Sequence, residues 1–275
     1  MATSVSAQAR IDPVTIAGLA LVLMPLLTML HELGGHAGMC LASGGRLLEL
    51  GAFYVDCASS DAAARRAVSL AGPGIDALTG LVGFVVWKRL TNDMARLVAW
   101  YIWLSTAFSA AGYMLFSGLT GLGDLGAAGN QGIGPLPMPV LWQALIALAG
   151  AIGYVCLIRL GIVTLAQMVG SGLKTRTAKR IIAHLFYAVL CVAALLASLP
   201  NPVGVFVTLA SAVAASFGGK AGLISIGFAP GRRDDAREFR IKRSWALLVA
   251  GLAITIGFAL ILGPTIRFAA VSGVA

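Results

Sequence analysis

Seven long apolar runs dominate the chain, at about 14–41, 67–87, 97–119, 138–160, 181–199, 202–218 and 245–266. About 20 apolar residues cross the hydrocarbon core of a bilayer as a helix. A backbone in lipid must satisfy its own hydrogen bonds, which favours helices. The runs therefore predict an all-α polytopic membrane protein with about seven transmembrane helices. Charge agrees: only 11% of the 275 residues are charged, against roughly 25% in soluble domains. The 202–218 run is the shortest and the weakest of the seven. Between the first two runs, 44–57 is mixed and partly alternating, which predicts a short strand or hairpin after helix 1. The charged stretch 230–244 is expected to lie on the membrane surface. No repeat or separate soluble domain stands out, so 1–275 reads as one integral membrane domain. Its core spans about 14–130, with additional helices at about 138–268. The first apolar run is too long for a signal-peptide core and is expected to be retained.

The formal net charge is +9. No aromatic-interleaved basic patch or phosphate-binding glycine loop accompanies it, so nucleic acid is not an expected partner. The bilayer is the expected one. Lys and Arg gather at 88–96, 174–180 and 220–243, in alternate loops, and Arg10 falls on the same side. Positive-inside counting then puts the N-terminus in the cytoplasm, and a bacterial plasma (inner) membrane is the expected location. Of the four cysteines, Cys156 and Cys191 lie in apolar segments and read as packing residues. Cys40 and Cys57 can share one membrane face, where a disulfide is an option. The five tryptophans read as interface anchors and packing residues.

Within the first run stands "LLTMLHELGGHAGMC", residues 26–40. Ionisable groups in lipid are costly and usually serve a cavity or a partner. Two imidazoles and a carboxylate supply three sides of a tetrahedral zinc site, with water at the open position. A neighbouring glutamate can take a proton from that water. His31 and His36 are the candidate ligands from this stretch, and Glu32 is the candidate base. The spacing is unusual. Residues five apart on an α-helix differ by about 140° in direction. A π-helical turn brings them together, and Gly34 and Gly35 are where such a distortion costs least. Otherwise the two histidines are interfacial or packing residues near a helix end.

The sequence around this motif resembles the site-2-protease family of intramembrane zinc metalloproteases. "HELGGHAG" stands for the family's HExxH. "LASGGRLLELGAF" follows it like the family's glycine-led strand. "SLAGPGID", 69–76, is similar to the alanine-glycine-proline motif at the start of the next helix. The likeness covers roughly residues 20–90, in order. It implies a third metal ligand from a glycine-flanked aspartate on a later helix, and "GLGDLG" makes Asp124 the candidate. The departures are the extra glycine in the histidine motif and Asp76 where the family has asparagine. The family usually holds its zinc toward the cytoplasm, whereas charge counting puts this site on the outer side. No PDZ-like domain fits the remaining length.

The expected activity is hydrolysis of peptide bonds in membrane-embedded protein or peptide substrates, with Zn²⁺ on His31, His36 and Asp124. Charge counting puts all three on one membrane side. Asp76 is either a helix-start residue or a cavity residue that contacts substrate. Asn130 is a further candidate substrate contact, Asp56 a fallback ligand, and His184 an interfacial residue. The segment 46–55 can receive an extended peptide by strand addition. Two alternatives remain open. One is a non-catalytic membrane protein of the same fold that binds a partner or lipid. The other is a zinc-dependent hydrolase of a non-peptide substrate.

Overall fold

The computed structural model describes residues 9–128, 132–171, 173–201, 212–229 and 238–268. Among the described residues, six helices are long and apolar enough to cross a membrane, so the chain is a polytopic membrane protein. They are α1 (Pro13–Ala42), α2 (Ala62–Arg89), α3 (Asp93–Thr120), α4 (Pro139–Val169), α5 (Leu173–Ser198) and α7 (Trp245–Leu262). The predicted 202–218 segment lies mostly outside the described residues. What is described there is a π-helical turn, Val213–Gly218, followed by the short helix α6 (Gly222–Phe228).

Local chemistry sets the helix starts. Asp12 caps α1 by accepting from Val14 N at 3.0 Å, with Pro13 at the first helical position. Proline suits that position because its missing N–H needs no partner there. Asp61, Asn92 and Ser244 cap α2, α3 and α7 in the same way. Gly121, at φ 73°, ends α3 in the left-handed region that glycine tolerates. The cap at Asp61 starts α2 five residues earlier than the apolar run at 67–87 suggests. Pro73 and Asp76 therefore lie inside α2 and not at its start.

The central helix is α3. Trp100, Tyr101, Trp103, Leu104 and Phe108 are all fully buried. Trp100 donates from Nε1 to Thr164 Oγ1 on α4 (2.9 Å), and Tyr101 donates to the Ile182 carbonyl on α5 (2.8 Å). Trp142 and Trp245 are exposed instead, as lipid-facing or interfacial tryptophans would be. The outward faces of α4 and α7 are apolar, with Val140 76% and Leu260 69% exposed. In water such faces would be a liability.

Two small sheets fasten the ends. At one end β1 (Arg10–Ile11) runs parallel to β4 (Arg240–Ile241), and Asp93 Oδ2 at the start of α3 accepts from Arg240 N. At the other end β2 (Arg46–Leu50) and β3 (Val55–Ala58) form the expected hairpin. A third strand, β5 (Ile266–Arg267), pairs with the far edge of β2 at Glu49 and Leu50. Within the 46–55 segment expected to receive a peptide, the outer edge of β2 at positions 48–50 is therefore paired by the chain itself, and β3 is the other edge strand of the sheet. A disulfide joins Cys40, near the end of α1, to Cys57 on β3.

Candidate metal centre

Residues Leu30–Ala37 of α1 are π-helical. The wider turn puts residues five apart on one face, so His31 and His36 converge. Their Nε2 atoms are 3.2 Å apart. Asp124, in the loop after α3, brings its Oδ2 to 3.4 Å from each. The three candidate ligands from the sequence thus meet, with ligand atoms all within 4.8 Å of one another.

The opposite ring nitrogens are fixed by acceptors. His36 Nδ1 donates to the Val68 carbonyl (2.7 Å), and His31 Nδ1 donates to Asp76 Oδ2 (2.8 Å). A neutral imidazole that donates from Nδ1 offers a lone pair at Nε2. Carboxylate or carbonyl partners of this kind orient metal-binding histidines in general. Tyr113 stacks on the His31 ring, with centroids 4.8 Å apart and an interplanar angle of 13°.

Close packing makes the site possible. A Cβ on Gly35 would lie 2.6 Å from Gly72 Cα, and a Cβ on Gly72 would strike the Nε2 atoms of both histidines. Only glycine at these two positions lets α2 cross α1 at the height of the rings.

The loop carrying Asp124 is pinned from α2. Arg65 and Arg66 each donate from Nη2, to the carbonyls of Gly134 and Pro135, at 3.0 Å. Gly134 N and Leu136 N in turn bond the carbonyls of Gly126 and Ala127. Ser117 Oγ accepts from Leu125 N (3.3 Å), beside Asp124.

A zinc ion fits this donor set by size. Ligand atoms about 2.0–2.1 Å from a tetrahedral zinc stand about 3.3 Å from one another. The separations here are 3.2, 3.4 and 3.4 Å. At 3.4 Å the contacts to Asp124 are long for hydrogen bonds, and the buried Oδ2 makes none that is well formed. Two Nε2 atoms and a carboxylate oxygen facing one another are groups that a cation, or a proton on one of the rings, bridges.

Glu32 is buried beside His31, and its Oε2 has no hydrogen-bond partner. It lines a cavity together with His31, Asp76, Ser109, Tyr113 and Lys220. Asp76, left open by the sequence, is a mid-helix residue that both borders this cavity and holds His31. The oxygen it gives to His31 is not available to a substrate. Asn130 lies outside the described residues. Asp56 is exposed on β3, away from the cluster. His184 sits in a second π-helical stretch, Ile181–Leu185, and contacts the Ile224 carbonyl through Nε2 at 2.9 Å.

The cavity lining also includes polar residues that the sequence does not single out, among them Tyr113, Ser109 and Lys220. Tyr113 and Ser109 belong to a row of polar residues spaced four apart on α3, with Ser105 and Ser117, and that spacing is the signal available. Lys220 was grouped with the cytoplasmic loop charges. It is instead 7% exposed and donates to Ser109 Oγ on α3 at 3.0 Å.

Comparisons with protein-family models, with curated proteins and with solved structures found no match for this chain. The chemistry of the site rests on its own geometry.

Proposed function

We propose that this protein is an intramembrane zinc-dependent peptidase. The observation that carries the reading is the meeting of His31 Nε2, His36 Nε2 and Asp124 Oδ2 beside a buried, unpartnered Glu32 oxygen. His31, His36 and Asp124 would hold the ion. When bound, such an ion polarises a peptide carbonyl and lowers the pKa of water. Glu32 Oε2 takes a proton from the attacking water and passes it to the departing amine nitrogen. A C–O bond forms and the C–N bond breaks. Asp76 and the Val68 carbonyl keep both rings aimed inward throughout. Tyr113 covers one face of His31 and excludes water from it.

The substrate is a membrane-embedded peptide. A groove lined by Gly34, Gly38, Ala71, Gly74 and Leu78 runs along the contact of α1 and α2, and it offers an approach from the lipid. The main argument for a non-catalytic relative, the extra residue between the histidines, loses its force when the turn is π-helical. Cys40–Cys57 lies at the end of the molecule nearest His36, and disulfides persist in oxidising compartments. With the charge distribution, this supports a cytoplasmic N-terminus and a site near the outer face of a plasma membrane.

The test begins with purified protein in detergent. About one zinc per chain is expected, the stoichiometry of a single three-ligand site. Glu32→Gln should keep the metal and lose about 10²–10⁴-fold in turnover of apolar peptides, the usual contribution of a general base. Undiminished turnover in that variant, or wild-type protein that takes up no metal, rejects the reading.

A further inference from the structure

The cavity beside the cluster has room for about one water molecule. It suits a single oxygen atom and not a side chain. In peptide hydrolysis the carbonyl oxygen gains negative charge as water adds, and preorganised donors aimed at that oxygen lower the barrier. The carboxylates on the cavity wall, Glu32 and Asp76, accept hydrogen bonds when ionised and do not donate. Hydroxyl and ammonium donors on the wall come from Thr28, Ser109, Tyr113, Ser216 and Lys220. Thr28 Oγ1 already donates to the Met24 carbonyl of its own helix at 2.8 Å. Ser109 and Lys220 are tied to each other at 3.0 Å. Tyr113 is the one stacked on a candidate ligand, with its ring 4.8 Å from that of His31. Its hydroxyl makes no hydrogen bond among the described residues, and it lies within electrostatic reach of Glu32, Asp76 and Asp124.

We propose that the Tyr113 hydroxyl is a catalytic donor, hydrogen-bonded to the carbonyl oxygen of the peptide bond being cut. The assignment rests on the peptidase reading and adds a residue to it. As water adds, a C–O bond forms and the carbonyl π pair moves onto the oxygen. Glu32 takes the proton of the water in the same step, so negative charge passes from Glu32 to that oxygen. The Tyr113 O–H keeps its proton, and its hydrogen bond strengthens as the charge on the acceptor grows. When the C–N bond breaks, the pair returns to the carbonyl and Glu32 gives its proton to the amine. Asp76 does not fill this place, because its Oδ2 accepts from His31 Nδ1.

The experiment measures binding, so it does not depend on turnover. Full-length protein in detergent is loaded with zinc and titrated with two apolar peptides that cannot be cut. One carries a phosphinic group at the scissile position, tetrahedral and anionic like the transition state. The other carries a flat ketone there. The wild type should bind the phosphinic peptide at least about 10²-fold more tightly, as transition-state analogues do. Tyr113→Phe keeps the ring on His31 and deletes only the hydroxyl. It should lose about 10²-fold in phosphinic affinity, the usual effect of removing one such donor, with ketone affinity and zinc content unchanged. In turnover, kcat should fall while KM stays the same. Unchanged phosphinic affinity in Tyr113→Phe overturns the proposal. An equal loss for both peptides does so too, since the hydroxyl would then hold substrate and transition state alike. Loss of zinc from Tyr113→Phe would make the residue a support for His31 and also overturn it. Wild-type protein that binds the two peptides equally rejects the peptidase reading itself, and the donor with it.

Discussion

The molecule has two π-helical stretches that carry histidine, Leu30–Ala37 in α1 and Ile181–Leu185 in α5. Each is covered by a glycine so close that a Cβ would strike the imidazole: Gly72 over His31 and His36, Gly227 over His184. Only one of them is a candidate metal centre. His184 is satisfied where it stands. Its Nε2 meets the Ile224 carbonyl at 2.9 Å, and its ring lies 4.4 Å from that of Phe228. In α1 the hydrogen-bond partners are on the other nitrogens. Val68 and Asp76 take the Nδ1 protons, and both Nε2 atoms are left facing Asp124. A π-turn with a histidine is therefore not a site. The site comes from where the acceptors lie, because they decide which ring nitrogen is left over.

The sharpest way to break this comparison is to remove one histidine from each stretch. His36→Ala should abolish stoichiometric zinc binding and all hydrolysis, while His184→Ala should leave metal content unchanged by elemental analysis. Zinc retained in His36→Ala, or lost in His184→Ala, would mean the two stretches had been assigned the wrong way round. The glycines give a second contrast. Gly72→Ala should displace both rings and lower zinc content well below that of the wild type. Gly227→Ala should keep the zinc and only lower thermal stability, at about the 1–3 kcal/mol typical of overpacking. A smaller effect is expected at Asp76. Asp76→Asn should weaken zinc affinity by about 10–100-fold in competition with a chelator, since outer partners of ligating histidines contribute on that scale. The smallest concerns His184 itself. Replacing it should cost about 0.5–1.5 kcal/mol, the worth of one ordinary hydrogen bond, measured as a modest fall in Tm with the site intact.

Much of this fold is legible along the chain. The apolar runs give the spanning helices, and the capping residues Asp12, Asn92 and Ser244 mark three of their starts. The partial alternation in 44–57 gives the hairpin. Where the reading strays, the cause is local chemistry overridden by its surroundings. Pro73 looks like a helix start, yet α2 begins at the Asp61 cap and runs through the proline. Lys220 looks like a loop charge by its place near other basic residues, yet it turns inward to Ser109. The outer edge of β2 looks open, and residues 266–268, more than 200 positions away, close it.

The candidate site divides along the same line. His31, Glu32, His36 and Asp124 are visible because ionisable groups are conspicuous in an apolar chain. The doubled glycine even suggests the π-turn. Tyr113 and Ser109 show only as a four-residue spacing of polar residues in an apolar helix, and the Val68 carbonyl not at all, since backbone groups carry no distinguishing pattern.

The sequence by itself determined where six of the long apolar helices lie, most of their ends, and which side chains are costly in lipid. Those are properties of short stretches, set by hydropathy, capping and the low tolerance of a bilayer for charge. The tertiary structure alone decided that Gly35 and Gly72 touch, that Val68 and Asp76 claim the Nδ1 atoms, and that Asp124 closes the triangle. Those are meetings between distant segments, and they depend on distances of a few ångströms that no local pattern encodes.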